Sequence, residues 1–321
     1  AAGDDNYEIC PEGVIHAELK AAQAASASMI CRGDASCPSG LADLDDAPPM
    51  LWVIGSTGIL RKPQVALVGA RNASSLGGRM ARALATGLGQ AGFTVTSGMA
   101  RGIDTAAHIA ALDTGTIAVL GGGVDVLYPA ENARLAEDIV AKGGARISEQ
   151  PMGLQPQARH FPARNRIISG MSRAVVVVEA AARSGSLITA RTALDQGRDV
   201  MAVPGHPFDA RASGCNMLLR DGARLVRHAE DVIEALAPLA ETKNPPSPQL
   251  PLTEPTGERP LADIAKLHQS ILDRLGPSPM GEDQLIRDLG APSRIVSPAL
   301  TDLELEGRIN RQPGGLISRI S

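Results

Sequence analysis

The chain has 321 residues, is 44% apolar and carries a formal net charge of −4. At roughly 150 residues per domain, that length predicts two domains with room for a small third, and the apolar content excludes a mostly disordered chain. Aromatics are scarce, with one Trp, two Tyr and three Phe, so the core must be aliphatic and a site that stacks on rings has few to use.

The total charge hides a partition. Residues 61–230 carry 20 Lys and Arg against 13 Asp and Glu, and 18 of those cations are Arg. Arginine's planar fork matches phosphate oxygens in pairs and stacks on bases, so the acidic total does not exclude a polyanion partner. No apolar run reaches the roughly 18–20 residues that cross a bilayer, and no basic-then-apolar leader opens the chain. The expectation is a cytoplasmic protein without membrane insertion. The first residue is Ala1, which predicts that the natural N-terminus is missing. Cys10, Cys31, Cys37 and Cys215 lack the spacing of a metal site. They read as reduced thiols, with a disulfide among the first three formally open.

Residues 1–60 read as a helical remnant and lead-in: an Ala-rich helix over 11–30, then an extended approach over 41–50. Residues 61–237 carry short apolar runs at 65–69, 94–97, 117–120, 146–148, 174–179 and 200–204, with helical patterns between most of them. Four consecutive valines at 175–178 suit a strand covered on both faces. Alternating strands and helices predict an α/β fold with a Rossmann-like, doubly wound and mostly parallel sheet. Seven prolines within residues 238–260 predict a semi-extended linker. Residues 261–321 then read as three helices, over 262–275, 281–289 and 292–306, followed by a β-hairpin. That order predicts a small winged-helix domain.

Three Gly-rich turns end predicted strands: Val68-Gly69-Ala70-Arg71, Ser97-Gly98 and Gly121-Gly122-Gly123. In open α/β sheets such turns lie at the carboxyl edge, where helix N-termini offer free N–H groups to anions. Neither GxGxxG nor GxxxxGK[ST] is present, which disfavours a dinucleotide site and a P-loop NTPase. Arg159-His-Phe-Pro-Ala-Arg-Asn-Arg166 sets Phe161 among Arg159, Arg164, Asn165 and Arg166. A ring among cations suits a stacked base with phosphate contacts; a solvated loop with a buried Phe is the plain alternative. Ser184-Gly185-Ser186, with Thr189 one turn on, opens a predicted helix and forms either a phosphate cradle or an ordinary N-cap. Asp104 and His108, four apart on a helix, read as a cap and a structural hydrogen bond rather than as an acid–base pair.

These stretches together resemble the DNA processing protein A family (DprA, or Smf). The likeness rests on Val68-Gly-Ala-Arg71, Thr96-Ser-Gly-Met-Ala-Arg-Gly-Ile-Asp-Thr-Ala-Ala-His108, Leu120-Gly-Gly-Gly-Val-Asp-Val-Leu-Tyr-Pro129 and Ile147-Ser-Glu149. It continues through Phe161-Pro-Ala-Arg-Asn-Arg166, Ser184-Gly-Ser-Leu-Ile-Thr-Ala190, Val203-Pro-Gly205 and Gly214-Cys-Asn-Met-Leu-Leu-Arg-Asp-Gly-Ala223. The resemblance implies a non-catalytic, homodimeric protein that binds single-stranded DNA. Such a protein protects incoming strands in natural transformation and recombination. It also helps load the RecA recombinase onto DNA held by single-strand-binding protein, with no metal or cofactor. By the same resemblance, Arg71, Phe161, Arg164, Arg166, Ser184, Gly185 and Ser186 would bind DNA, with Arg159 standing in for a family lysine; the strand-end turns add Ser97, Gly98, Gly121 and Gly122, and the two motif stretches Asn165 and Thr189, to the expected DNA-binding set. Gly214, Asn216, Leu218 and Leu219 would form the dimer contact. The competing reading is a nucleotide-binding protein or a phosphoribohydrolase-like enzyme using the same Rossmann-type pocket.

Overall fold

The apolar runs of the sequence become the strands of one sheet. In the computed structural model the residues described are 9–42, 44–237, 261–276, 278–312 and 315–320, and the chain divides into units at 1–240 and 241–321. The first unit begins with α1 (Glu12–Ala24), β1 (Ser28–Cys31), α2 (Ser39–Ala42) and β2 (Met50–Gly55). It continues with β3 (Gln64–Val68), α3 (Ser75–Gln90), β4 (Thr94–Ser97), α4 (Ile103–Ala111) and β5 (Thr116–Val119). Next come α5 (Ala133–Ala141), β6 (Ala145–Ser148), α6 (His160–Met171), β7 (Ala174–Val177) and α7 (Gly185–Asp195). It ends with β8 (Asp199–Ala202), α8 (Ser213–Arg220), β9 (Arg224–Leu225) and α9 (Ala229–Leu236).

The strand order is β1-β2-β6-β5-β4-β3-β7-β8-β9. Every pairing from β6 to β9 is parallel, whereas β1 pairs antiparallel with β2, and β2 with β6. Side chains of β3 alternate between two cores, as the two-residue period of a strand requires. Ala66 and Val68 join Ile167 and Ile168 of α6 and Ala190 of α7. Val65 and Leu67 join Leu84 and Leu88 of α3, Ala107 of α4 and Val232 of α9. Helices therefore cover both faces, which explains the unbroken valines of β7, buried throughout.

The N-terminal expectation is corrected here. The helix stops at Ala24, and Ser28–Cys31 and Met50–Gly55 are strands of the main sheet rather than a helical tail and a lead-in. Leu51, Trp52 and Val53 are buried, and Trp52 sits in register with Ser148 of β6. The burial of that apolar run supplies the driving force for pairing. The proline-rich segment 238–260 lies outside the described residues.

The second unit contains α10 (Leu261–Arg274), β10 (Met280–Gly281), α11 (Glu282–Leu289), α12 (Ser293–Leu305), β11 (Ile309–Gln312) and β12 (Leu316–Arg319). Its small sheet has the order β10-β12-β11. Leu272, Leu285, Val296, Leu300, Leu303 and Ile317 form its core. Three helices and a hairpin agree with the winged-helix expectation; β10 adds a third strand. No helix among the described residues is long and apolar enough to cross a membrane.

Candidate nucleic-acid interface

Strand β3 lies between β4 and β7. The helices that follow β3 and β7, α3 and α7, pack into different cores on opposite faces. The carboxyl ends of β3 and β7 thus form the switch point where open α/β sheets take ligands.

Four residues from separate segments meet beside it. Arg71, exposed on the turn after β3, holds its guanidinium carbon 5.4 Å from the centroid of the Phe161 ring. Phe161, in the first turn of α6, packs against the turn after β5, where a methyl on Gly121 would come within 3.1 Å of the ring. The Tyr128 ring follows at 5.8 Å, tilted by 38° and half exposed. A guanidinium and two accessible rings in sequence can take bases by stacking and a phosphate by charge. Tyr128 was not singled out from the sequence. Its signal was available: it is one of two tyrosines and closely follows a Gly-rich turn.

Beneath this cluster the structure corrects several expectations. Arg164 is 5% exposed and cannot meet a bound strand directly. Its guanidinium donates to the Gly98 carbonyl at 2.6 Å and to the Val119 carbonyl, tying the ends of β4 and β5 together. The buried Asp104 is its charge partner: burial pushes that carboxyl up, opposed by Arg164 and by the amides of Ala100 and Gly98. Burial also lowers the Arg164 guanidinium to about 10, with Asp104 opposing, so Arg164 is charged at neutral pH. Arg164 therefore braces the strand ends one helical turn below Phe161. Ser97 is fully buried and donates its hydroxyl to the Leu67 carbonyl at 2.6 Å. His108 accepts or donates at Nδ1 with Thr116 Oγ1 (2.7 Å), and burial drives its pKa down to about 3.

The Gly-rich turns are also less open than their sequence suggests. The Asp104 carboxylate accepts the N–H groups of Gly98 (3.0 Å) and Ala100 (3.3 Å) before α4. Glu179, just beyond β7, accepts the Ser74 N–H at 2.9 Å before α3. In the third turn the Gly123 N–H goes to the Leu154 carbonyl and the Gly122 carbonyl accepts from Ser148. Gly121 and Gly122 are themselves buried, Gly121 against the Phe161 ring and Gly122 against Leu154 and Pro156.

The N-terminus of α7 differs. Ser184 is its N-cap, with its hydroxyl 2.7 Å from that of Ser186 and a weak 3.4 Å contact to the Ser186 N–H. Gly185 is exposed with open space around it, whereas Ser186 and Thr189 are buried. Arg159 is exposed at the start of α6, and Asn165 is half-buried. Arg166 pairs with Glu149 where both are largely buried, which leaves it little charge for a ligand.

Of the expected dimer residues, Gly214 is buried, its N–H donating to the Ala180 carbonyl at 2.8 Å. Asn216 clamps Gly205 from both sides, at 3.0 and 3.2 Å. Leu218 and Leu219 are half-buried against the core. Met217, at 37%, is the more exposed apolar side chain of α8. No group of His, Cys, Asp and Glu suited to a metal occurs among the described residues.

The molecule is thus a Rossmann-like α/β protein with a winged-helix unit, and its carboxyl edge gathers a guanidinium and two rings. Residues 28–237 match the model of the DNA recombination-mediator protein A family, and residues 253–315 match the DprA winged helix domain. The chain belongs to that family. It is 40% identical over 282 residues to Protein Smf of Escherichia coli, covering 87% of this chain and 74% of that protein. It is 46% identical over 198 residues to the DNA processing protein DprA of Streptococcus pneumoniae, covering 61% and 70%. The X-ray structure of that streptococcal protein superposes with a TM-score of 0.64 at 40% identity, covering 70% of this chain and 78% of the other. A Helicobacter pylori DNA processing protein A, described for its single-stranded DNA binding mode, gives 0.60 at 28% identity, covering 65% and 95%.

Proposed function

We propose that this chain binds single-stranded DNA along the carboxyl edge of its sheet and acts by binding rather than by catalysis. In this reading it protects incoming strands and helps load RecA onto DNA held by single-strand-binding protein during recombination. The observation that carries the proposal is the Arg71–Phe161–Tyr128 cluster, in which a guanidinium lies 5.4 Å from one ring and the second ring 5.8 Å from the first. Family membership supports it, as does the single-strand binding of the Helicobacter relative. The open N-terminus of α7 and the exposed Arg159 offer phosphates a path away from the rings.

The direct test is fluorescence anisotropy with labelled dT oligomers of increasing length and a matched duplex at two salt concentrations. Affinity should rise with length, favour single strands and fall steeply with salt. Equal affinity for duplex, or none at low salt, overturns the reading. Dimerisation is proposed through the outer face of α8. Met217→Glu, which spares the core-packed Leu218 and Leu219, should shift sedimentation from dimer to monomer. An unchanged profile retires that surface.

A further inference from the structure

A cavity of about 530 Å3 opens beside the switch point, with Leu76, Met80, Val203 and Pro204 as apolar walls and Glu179 among its polar residues. Nucleotide-binding sheets of this class place a phosphate at the N-terminus of the helix that follows the central strand. Here a side chain holds that position. The Glu179 carboxylate accepts the Ser74 N–H at 2.9 Å and also the Ser74 hydroxyl. Ser74 Oγ accepts in turn from the Gly77 N–H at 2.9 Å. The carboxylate lies so close over the first turn of α3 that a methyl at Gly77 would sit 2.6 Å from each of its oxygens. Negative charge is stabilised at the positive end of a helix, and a carboxylate fixed there repels a second anion.

We infer that Glu179 is a specificity-determining residue: its carboxylate fills the phosphate position of this cavity, closing it to free nucleotides and leaving the phosphates of a polynucleotide to Arg71 and α7. The inference rests on the nucleic-acid reading of the same edge. Arg79 lines the cavity too, and the cavity's other carboxylate, Asp209, is already paired with Arg211, so a cation for an incoming phosphate is present and Glu179 is the carboxylate that opposes it. Removing its charge should therefore create an anion site rather than merely a void.

The test is isothermal titration of the full chain with inorganic phosphate and with ADP, for wild type, Glu179→Gln, Glu179→Ala and Ser74→Ala. Glutamine matches glutamate in shape and keeps an acceptor for the Ser74 N–H, so it guards against a variant that fails to fold. Both Glu179 variants should bind both probes saturably, about ten-fold or more tighter than wild type. Ser74→Ala keeps the negative charge and should gain nothing. The inference is overturned if neither Glu179 variant gains phosphate affinity, or if Ser74→Ala gains as much. Failure of the nucleic-acid reading shows separately, as a wild-type chain that binds no single strands whatever the phosphate titrations give.

Discussion

Among the helices that begin at the carboxyl edge of the sheet, α3, α4 and α7 are treated in two ways. At α3 the Glu179 carboxylate, from far along the chain, takes up the Ser74 N–H beside the local Ser74 cap, and in the turn before α4 the Asp104 carboxylate, from that helix's own first turn, takes up those of Gly98 and Ala100. At α7 the cap is a serine again, Ser184, but among the described residues no carboxylate bonds the amides there, and Gly185 stands open beside it. Orphan amides at a helix start are equally good partners for an internal acid or an external anion. A fold can therefore keep the same architecture and choose, terminus by terminus, where a phosphate may land.

The comparison can be broken most forcefully at Arg164. Arg164→Met should strip the buried Gly98 and Val119 carbonyls of their charged donor and cost about 2–5 kcal/mol, at about 1–3 kcal/mol for each buried group left unsatisfied, read as a large fall in melting temperature. A fall of less than about 1 kcal/mol would mean that this guanidinium is not what ties the ends of β4 and β5 together. Next is the surface above it. Arg71→Ala combined with Phe161→Ala should weaken single-strand binding by roughly ten- to a hundred-fold, given about 1–3 kcal/mol per stacked base, while a cooperative melt is retained. Undiminished binding would place the strand elsewhere.

A matched pair of glycine substitutions sharpens the contrast between closed and open termini. Gly77→Ala pushes a methyl into the Glu179 carboxylate and should destabilise by about 1–3 kcal/mol. Gly185→Ala meets nothing within 4 Å and should be neutral or stabilise by up to about 1 kcal/mol. Equal costs at the two positions would erase the distinction. The smallest effect concerns His108, held neutral by burial down to about pH 3. The unfolded chain takes up that proton near pH 6.5 and the folded one does not, so stability falls as pH drops through this window. Between pH 7 and 5.5 the loss is about 1 kcal/mol. It should be missing from His108→Asn in melts across that range, and a parallel pH profile for the two proteins would refute it.

The strands from β3 to β8 were legible because each is a short apolar run between turn residues, a pattern that needs no knowledge of its neighbours. Phe161 was legible because rings are so rare here. What the sequence hid is non-local. The run at Met50–Gly55 is apolar enough to be a strand, but its partner β6 follows some ninety residues later, and the prolines ahead of it suggested a lead-in. Arg164 and Arg71 look alike in a sequence. The burial of one is decided by Asp104, sixty positions away, and by two carbonyls that only the sheet brings together. Glu179 likewise carries no local mark, since its partner Ser74 lies 105 residues earlier.

The two ends of the nine-stranded sheet bear on how this molecule can meet another. One margin is β1, four residues long, and the other is β9, only two. Such short borders offer little unpaired backbone for a second chain to zip onto, which guards against runaway edge-to-edge growth. With those margins so short, the side chains of helix surfaces, such as the outer face of α8, are left as the adjustable places on this unit where a partner could be released as well as held.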